Sequence, residues 1–103
     1  MSLQKMEAER HRLRRLRILQ ALQMNRPNPM GDGLIGQVLK QDVDLEFTQS
    51  SIRKGLEYLE GRGLVTIVSQ SDERWVVRIS ADGIDYLDGH GADIPGVARP
   101  SDF

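Results

Sequence analysis

Residues 47–65 constrain this chain more than any other stretch: Phe-Thr-Gln-Ser-Ser-Ile-Arg-Lys-Gly-Leu-Glu-Tyr-Leu-Glu-Gly-Arg-Gly-Leu-Val. They describe one helix, over residues 48–62, with a marked start, a marked stop and a strand behind it. Thr48 and the serines after it are residue types whose hydroxyls accept the free N–H groups of a first helical turn. Ile52, Leu56 and Leu59 recur at i, i+4 and i+7, which makes one apolar face. Gly63 stands where a left-handed cap favours glycine, and Leu64-Val65 open a β-type run. Ser50, Arg53, Lys54 and Glu57 fall opposite the apolar stripe. A capped helix with one dry face and a short, partly basic outer face fits a DNA major groove.

The pattern Thr-x-x-Ser-Ile-Arg-Lys-x-Leu-x-x-Leu-Glu-x-x-Gly-Leu-Val resembles the recognition helix and first wing strand of winged helix-turn-helix proteins. Residues 79–87, Ile-Ser-Ala-Asp-Gly-Ile-Asp-Tyr-Leu, resemble the end of the wing and the helix after it in the same superfamily. The resemblance implies an α+β fold: a three-helix core, a two-stranded β-hairpin wing, a short C-terminal helix and an extended tail. It specifies a fold more closely than a ligand, because winged helices also serve as protein–protein modules.

Length agrees with a single domain of modest core, 103 residues, here divided into a winged-helix domain over 1–91 and a tail over 92–103. With only five aromatic side chains, the core must be mostly Leu, Ile and Val. Cysteine is absent, which excludes disulfides and thiol chemistry. No apolar run approaches the ~20 residues of a membrane span, and the charged N-terminus is unlike a secretory signal. The expectation is a cytoplasmic protein without a membrane partner. The net charge of −1 hides an asymmetry: residues 1–26 hold seven Lys/Arg against two Glu, and the remainder holds seven against thirteen acidic side chains. A polyanion would be drawn to the N-terminal end first. A solvated helix face is the plainer reading of the same charges.

Residues from about 7 to 24 read as a long helix. Leu13, Leu16, Leu19 and Leu22 recur every three residues with Ile18 beside them, so the apolar stripe is wide. That width suits a helix packed on two sides, against the domain and a partner subunit. Arg10, Arg14 and Arg17 share the other face and could track phosphates, or merely keep the helix hydrated. Arg26-Pro27-Asn28-Pro29 stops this helix. Gly31-Asp32-Gly33 reads as a turn with Asp32 as N-cap of a second helix carrying Leu34, Ile35, Val38 and Leu39. Val43, Leu45 and Phe47 alternate along an extended connector whose Asp42, Asp44 and Glu46 would repel phosphate if they faced it. Within the central helix, Gly55 and Gly61 each cost ~1 kcal/mol relative to Ala. Gly55 implies close approach of the second helix; Gly61 has no packing account. Residues 65–68 and 75–79 read as a hairpin around the turn cluster 69–73, with Trp75, Val77 and Ile79 on one face and Trp75 read as packing in the core or hairpin rather than stacking on a base. Arg74 is the one cation near its tip, beside Asp72 and Glu73. Ser80 caps a last helix over about 81–88. In the tail, Pro95-Gly96-Val97 and then Arg99-Pro100 resemble the C-terminus of small winged-helix proteins encoded by Mu-like prophages, which implies a phage or prophage origin.

Catalytic chemistry finds no foothold. His11 and His90 lack metal-ligand spacing, no glycine-rich phosphate loop is present, and no histidine accompanies the serines near the central helix as a base. The expectation is a protein that is not an enzyme and needs no metal or cofactor. The leading reading is a homodimeric transcriptional regulator that binds double-stranded DNA. Gln49, Ser50, Arg53 and Lys54 would face bases or phosphates, Thr48 would cap the helix and touch a phosphate, and Arg74 would reach from the wing. Arg10, Arg14 and Arg17 would add backbone contacts, and the first helix or the tail would form the dimer. The alternative is a winged-helix module that binds protein, favoured by the acidic connector and wing tip. A helical adaptor without a wing is disfavoured by the hairpin signals.

Overall fold

A computed structural model describes residues 2–42, 45 and 48–102. Among them the order is α1 (Leu3–Met24), β1 (Met30–Gly31), α2 (Asp32–Leu39), α3 (Gln49–Gly61), β2 (Val65–Gln70), β3 (Trp75–Ile79) and α4 (Ala81–Leu87), with a 3-10 turn at Pro100–Asp102. The architecture is α+β: four α-helices and a three-stranded antiparallel sheet in the order β1-β3-β2.

Most of these elements follow from local chemistry. Thr48 caps α3 by accepting from Ser51 N at 3.0 Å, while Ser51 Oγ accepts from Thr48 N at 2.9 Å. This reciprocal pair satisfies two N–H groups that a helix start would leave open. At the other end Gly63 takes φ of 77°, a conformation that glycine adopts at little cost. Ser80 caps α4 through Gly83 N and also donates to Gly63 O, tying the start of α4 to the end of α3.

Four sequence expectations shift. α1 begins at Leu3, because Ser2 accepts from Lys5 N and starts the helix a turn earlier than its leucine stripe suggests. The hairpin is not a two-stranded unit: Met30 and Gly31 pair with Val77 and Val76 and add a third strand. Strand β2 also runs on to Gln70 through an irregularity between Ile67 and Ser69, which leaves Val68 exposed. Asp32 is the first residue of α2, not its cap, a position held by Gly31. In the connector Leu45 is buried, whereas Val43, Asp44, Glu46 and Phe47 lie outside the described residues.

The core joins Ile18, Leu19 and Leu22 of α1, Ile35 and Leu39 of α2, Ile52, Leu56 and Leu59 of α3, and Trp75, Val77 and Ile79 of β3. Gly55 permits the close approach expected of it, but the neighbour is α1. A Cβ there would lie 3.1 Å from Ile18 Cδ1. The second helix instead meets α3 at Gly36, where a Cβ would lie 3.2 Å from Ile52 Cδ1.

The tail returns across α4 and α1. Ala98 N donates to Arg12 O, Arg15 Nη1 to Gly96 O, and Tyr86 Oη to Val97 O. Tyr58 Oη donates to the Pro95 carbonyl. Val97 and Ala98 are buried. Arg99 is buried too, its guanidinium stacked on Tyr86 and donating to the carbonyls of Tyr86 in the last turn of α4 and of His90 and Gly91 beyond it. Of the stripe from Leu13 to Leu22 and the tail residues Ile94 and Val97, which suggested a dimer surface, Leu16, Ile18, Leu19, Leu22 and Val97 are buried within one chain, and Leu13 and Ile94 are half-buried. No helix among the described residues is long and apolar enough to cross a membrane.

Candidate functional site

α3 lies between two polar neighbourhoods, and its outward residues divide between them. On one side it faces α1 across a cleft of about 300 Å³. The walls are His11, Arg14 and Arg15 of α1 with Thr48, Ser50, Ser51, Lys54 and Gly55 at the start of α3. Three cationic side chains and a histidine thus surround the N-terminal end of a helix, with three hydroxyls between them and, among the described residues, no carboxylate in the lining. A helix N-terminus adds its own positive pole.

Geometry inside the cleft is set by the arginines. Arg14 Nη1 lies 3.0 Å from His11 Nδ1. A guanidinium can only donate, so in this contact the ring nitrogen takes the acceptor role. Partial burial, then the charges of Arg14 and Arg15, push the His11 pKa below its ordinary value, with Glu7 opposing. Arg15 is held by Gly96 O at 2.9 Å and stacks 3.9 Å from the centre of the Tyr58 ring. Burial lowers its pKa; Tyr58 opposes that and Arg14 adds to it, yet an arginine stays charged.

On the other side of α3 a single carboxylate gathers donors from three elements. Asp32 is only 3% exposed. Its Oδ1 accepts from Gly33 N and Trp75 N at 3.1 and 3.2 Å. Its Oδ2 accepts from Arg53 Nε at 2.8 Å and, at the long limit of 3.5 Å, from Gln49 Nε2. Arg53 Nη2 donates to Asp72 O in the hairpin turn, and its guanidinium lies 5.2 Å from the Trp75 ring centre. Burial alone would raise the Asp32 carboxyl; the hydrogen bonds from Arg53 and Trp75 outweigh it and hold the pKa below the usual carboxylate value.

The expected site residues therefore do not form one surface. Thr48, Ser50, Lys54 and Arg14 meet in the cleft. Arg53 and Gln49 turn to Asp32, and Arg53 is a strut between α3 and the hairpin with a side chain only 17% exposed. Arg74 lies over Gly31, where an added Cβ would be 3.4 Å from its Nε. Arg10 pairs with Glu7 at 3.5 Å, and Arg17 with Asp42 at 3.7 Å and with Gln20. The basic face of α1 toward α3 is 11/14/15, not 10/14/17. Gly55 carried the missing signal, since the helix close enough to need a glycine there also brings Arg15 alongside, its Cγ 4.0 Å from an added Cβ. Comparison with known proteins adds no relative: no family model, curated protein or solved structure matches the chain.

Proposed function

We propose that this protein is a small winged helix-turn-helix DNA-binding regulator of phage or prophage type. The start of α3 enters the major groove, and the α1/α3 cleft holds the DNA backbone. The observation that carries this reading is the cleft: Arg14, Arg15 and Lys54 converge on the helix start beside Thr48 and Ser50. Cations and hydroxyls at a helix N-terminus are the usual donors to phosphate. Three helices followed by a hairpin that packs on the third fit the fold implied by the sequence resemblance. Arg53 orients the wing against α3, and base contacts fall to Ser50 and Lys54, both exposed.

The test is a titration of duplex DNA fragments at two salt concentrations. Arg14→Ala with Lys54→Ala should weaken binding and reduce the log–log salt slope by about two. Wild-type protein without salt-dependent binding would remove the reading. A protein-binding module is then the alternative, favoured by Leu34 and Val38, which stand 48% and 43% exposed at i and i+4 on α2. We further propose a homodimer formed through α1, a reading supported by Leu3 and Met6, which remain exposed. Leu3→Glu with Met6→Glu should convert a dimer to monomer mass in light scattering.

A further inference from the structure

We propose that the C-terminal tail is a strap that positions Arg15 in the α1/α3 cleft, with Gly96 and Tyr58 as the positioning residues. This deepens the DNA reading and rests on it for the group that Arg15 meets, a backbone phosphate.

Arg10, Arg12 and Arg17 of α1 pair with carboxylates: Glu7 for the first, Glu9 and Asp102 for the second, Asp42 for the third. Arg15 is held differently. Its Nη1 donates to Gly96 O at 2.9 Å, and its guanidinium stacks 3.9 Å from the centre of the Tyr58 ring. A carbonyl and an aromatic face fix the direction of a guanidinium without neutralising it, and the fork keeps further N–H groups to donate. A long side chain oriented in advance also loses less freedom when it meets its ligand.

The strap is tied on both sides of the Gly96 carbonyl. Before it, Tyr58 Oη donates to Pro95 O, and Ile94 N donates to Tyr86 Oη. After it, Tyr86 Oη donates to Val97 O, and Ala98 N donates to Arg12 O. Gly96 answers two demands at once. Its φ of 84° lies in the left-handed region, and an added Cβ would stand 2.8 Å from Tyr58 Cζ and 2.9 Å from Arg15 Nη1. A side chain at this position therefore presses on both groups that the strap brings together. Tyr58 joins the two ends of the device, because its hydroxyl holds the tail while its ring face carries Arg15.

The full chain is tested by NMR relaxation of the Arg15 Nε–H and then by duplex titration. In the wild type this group should be nearly as ordered as the backbone, unlike that of the exposed Arg26. Gly96→Ala should release it to the mobility of Arg26. The same change should weaken duplex binding severalfold and reduce the log–log salt slope by about one, as Arg15→Ala does. In the Arg15→Ala background Gly96→Ala should cost no further affinity, whereas with Lys54→Ala the two losses should add. A glycine that serves only the fold would lower affinity alike in both backgrounds. If Gly96→Ala does not fold, Tyr58→Leu, which removes both the stack and the tie to the tail, goes through the same cycle. A wild-type Arg15 Nε–H as mobile as that of Arg26 overturns the proposal, whether or not duplex binds. Duplex binding that Gly96→Ala leaves unchanged, or weakens equally in the Arg15→Ala background, overturns it while the DNA reading stands. An ordered Arg15 that Gly96→Ala releases, in a wild type that binds no duplex, supports the strap and rejects DNA as the partner it serves.

Discussion

At the scale of single residues, the position that changed meaning most is Arg53. Its place on the outer face of α3 suggests a base-reading side chain that can be removed without harm. In the folded chain its removal leaves the buried Asp32 carboxylate without its cation. Arg53→Ala should therefore cost about 3 kcal/mol in urea unfolding, whereas Lys54→Ala, exposed at the cleft, should cost under about 0.5 kcal/mol. A DNA-binding test on the Arg53/Lys54 pair would confuse fold loss with contact loss, and Arg14 with Lys54 is the cleaner pair. The acid dependence carries the same signature. A carboxyl whose pKa is lowered by folding contributes stability above its unfolded pKa and loses it as pH falls through the lower folded value. Asp32→Asn should remove that part of the slope from a plot of unfolding free energy against pH, at a cost of about 2 kcal/mol at neutral pH. Neither partner was legible from the sequence in this role. Periodicity shows which face of a helix is dry, but it cannot show that a carboxylate 21 positions earlier has been buried beneath it.

Among the elements, α3, the hairpin and α4 were readable because each carries its own punctuation: Thr48 and Gly63, the turn cluster before Trp75, and Ser80. Strand β1 was not, since Met30-Gly31 is too short for any alternation and exists through its pairing with β3. The two glycines of α3 separate propensity from packing. Gly61 has nothing within 4 Å of an added Cβ, so Gly61→Ala should raise stability by about 0.5–1 kcal/mol in thermal unfolding. Gly55→Ala has the same helical gain but must displace Ile18 Cδ1, and should cost about 1 kcal/mol net. Ile18→Val deletes that methyl, so in its background the Gly55→Ala cost should vanish. The tail offers a similar contrast. Asp93 is 89% exposed and its pair with Arg99 is weak, whereas the three carbonyls that Arg99 satisfies lie at the end of α4. Arg99→Ala should cost about 2–3 kcal/mol and Asp93→Ala under about 0.5 kcal/mol, and limited proteolysis should cut the tail in the first variant alone.

Across the whole molecule, charge is distributed by function of place. The N-terminal surplus read from the sequence is real in number, yet Glu7, Asp42 and Asp102 neutralise much of it at Arg10, Arg17 and Arg12. Among the described residues, Arg14, Arg15 and Lys54 gather at one end of α3, in a chain whose overall charge is only −1. On the proposed DNA-binding reading, raising ionic strength should lower DNA affinity by an order of magnitude or more while leaving the melting temperature within a few degrees. The hairpin joins this interior through one knot, in which Asp32 holds the Trp75 amide and Arg53 approaches the Trp75 ring. Trp75 is also the single tryptophan of the chain. The molecule thus carries its own optical probe at the joint between hairpin and helix: selective indole excitation reports the seating of that joint alone, so an emission change on adding a ligand would reveal whether the hairpin moves when the cleft is filled, without any label.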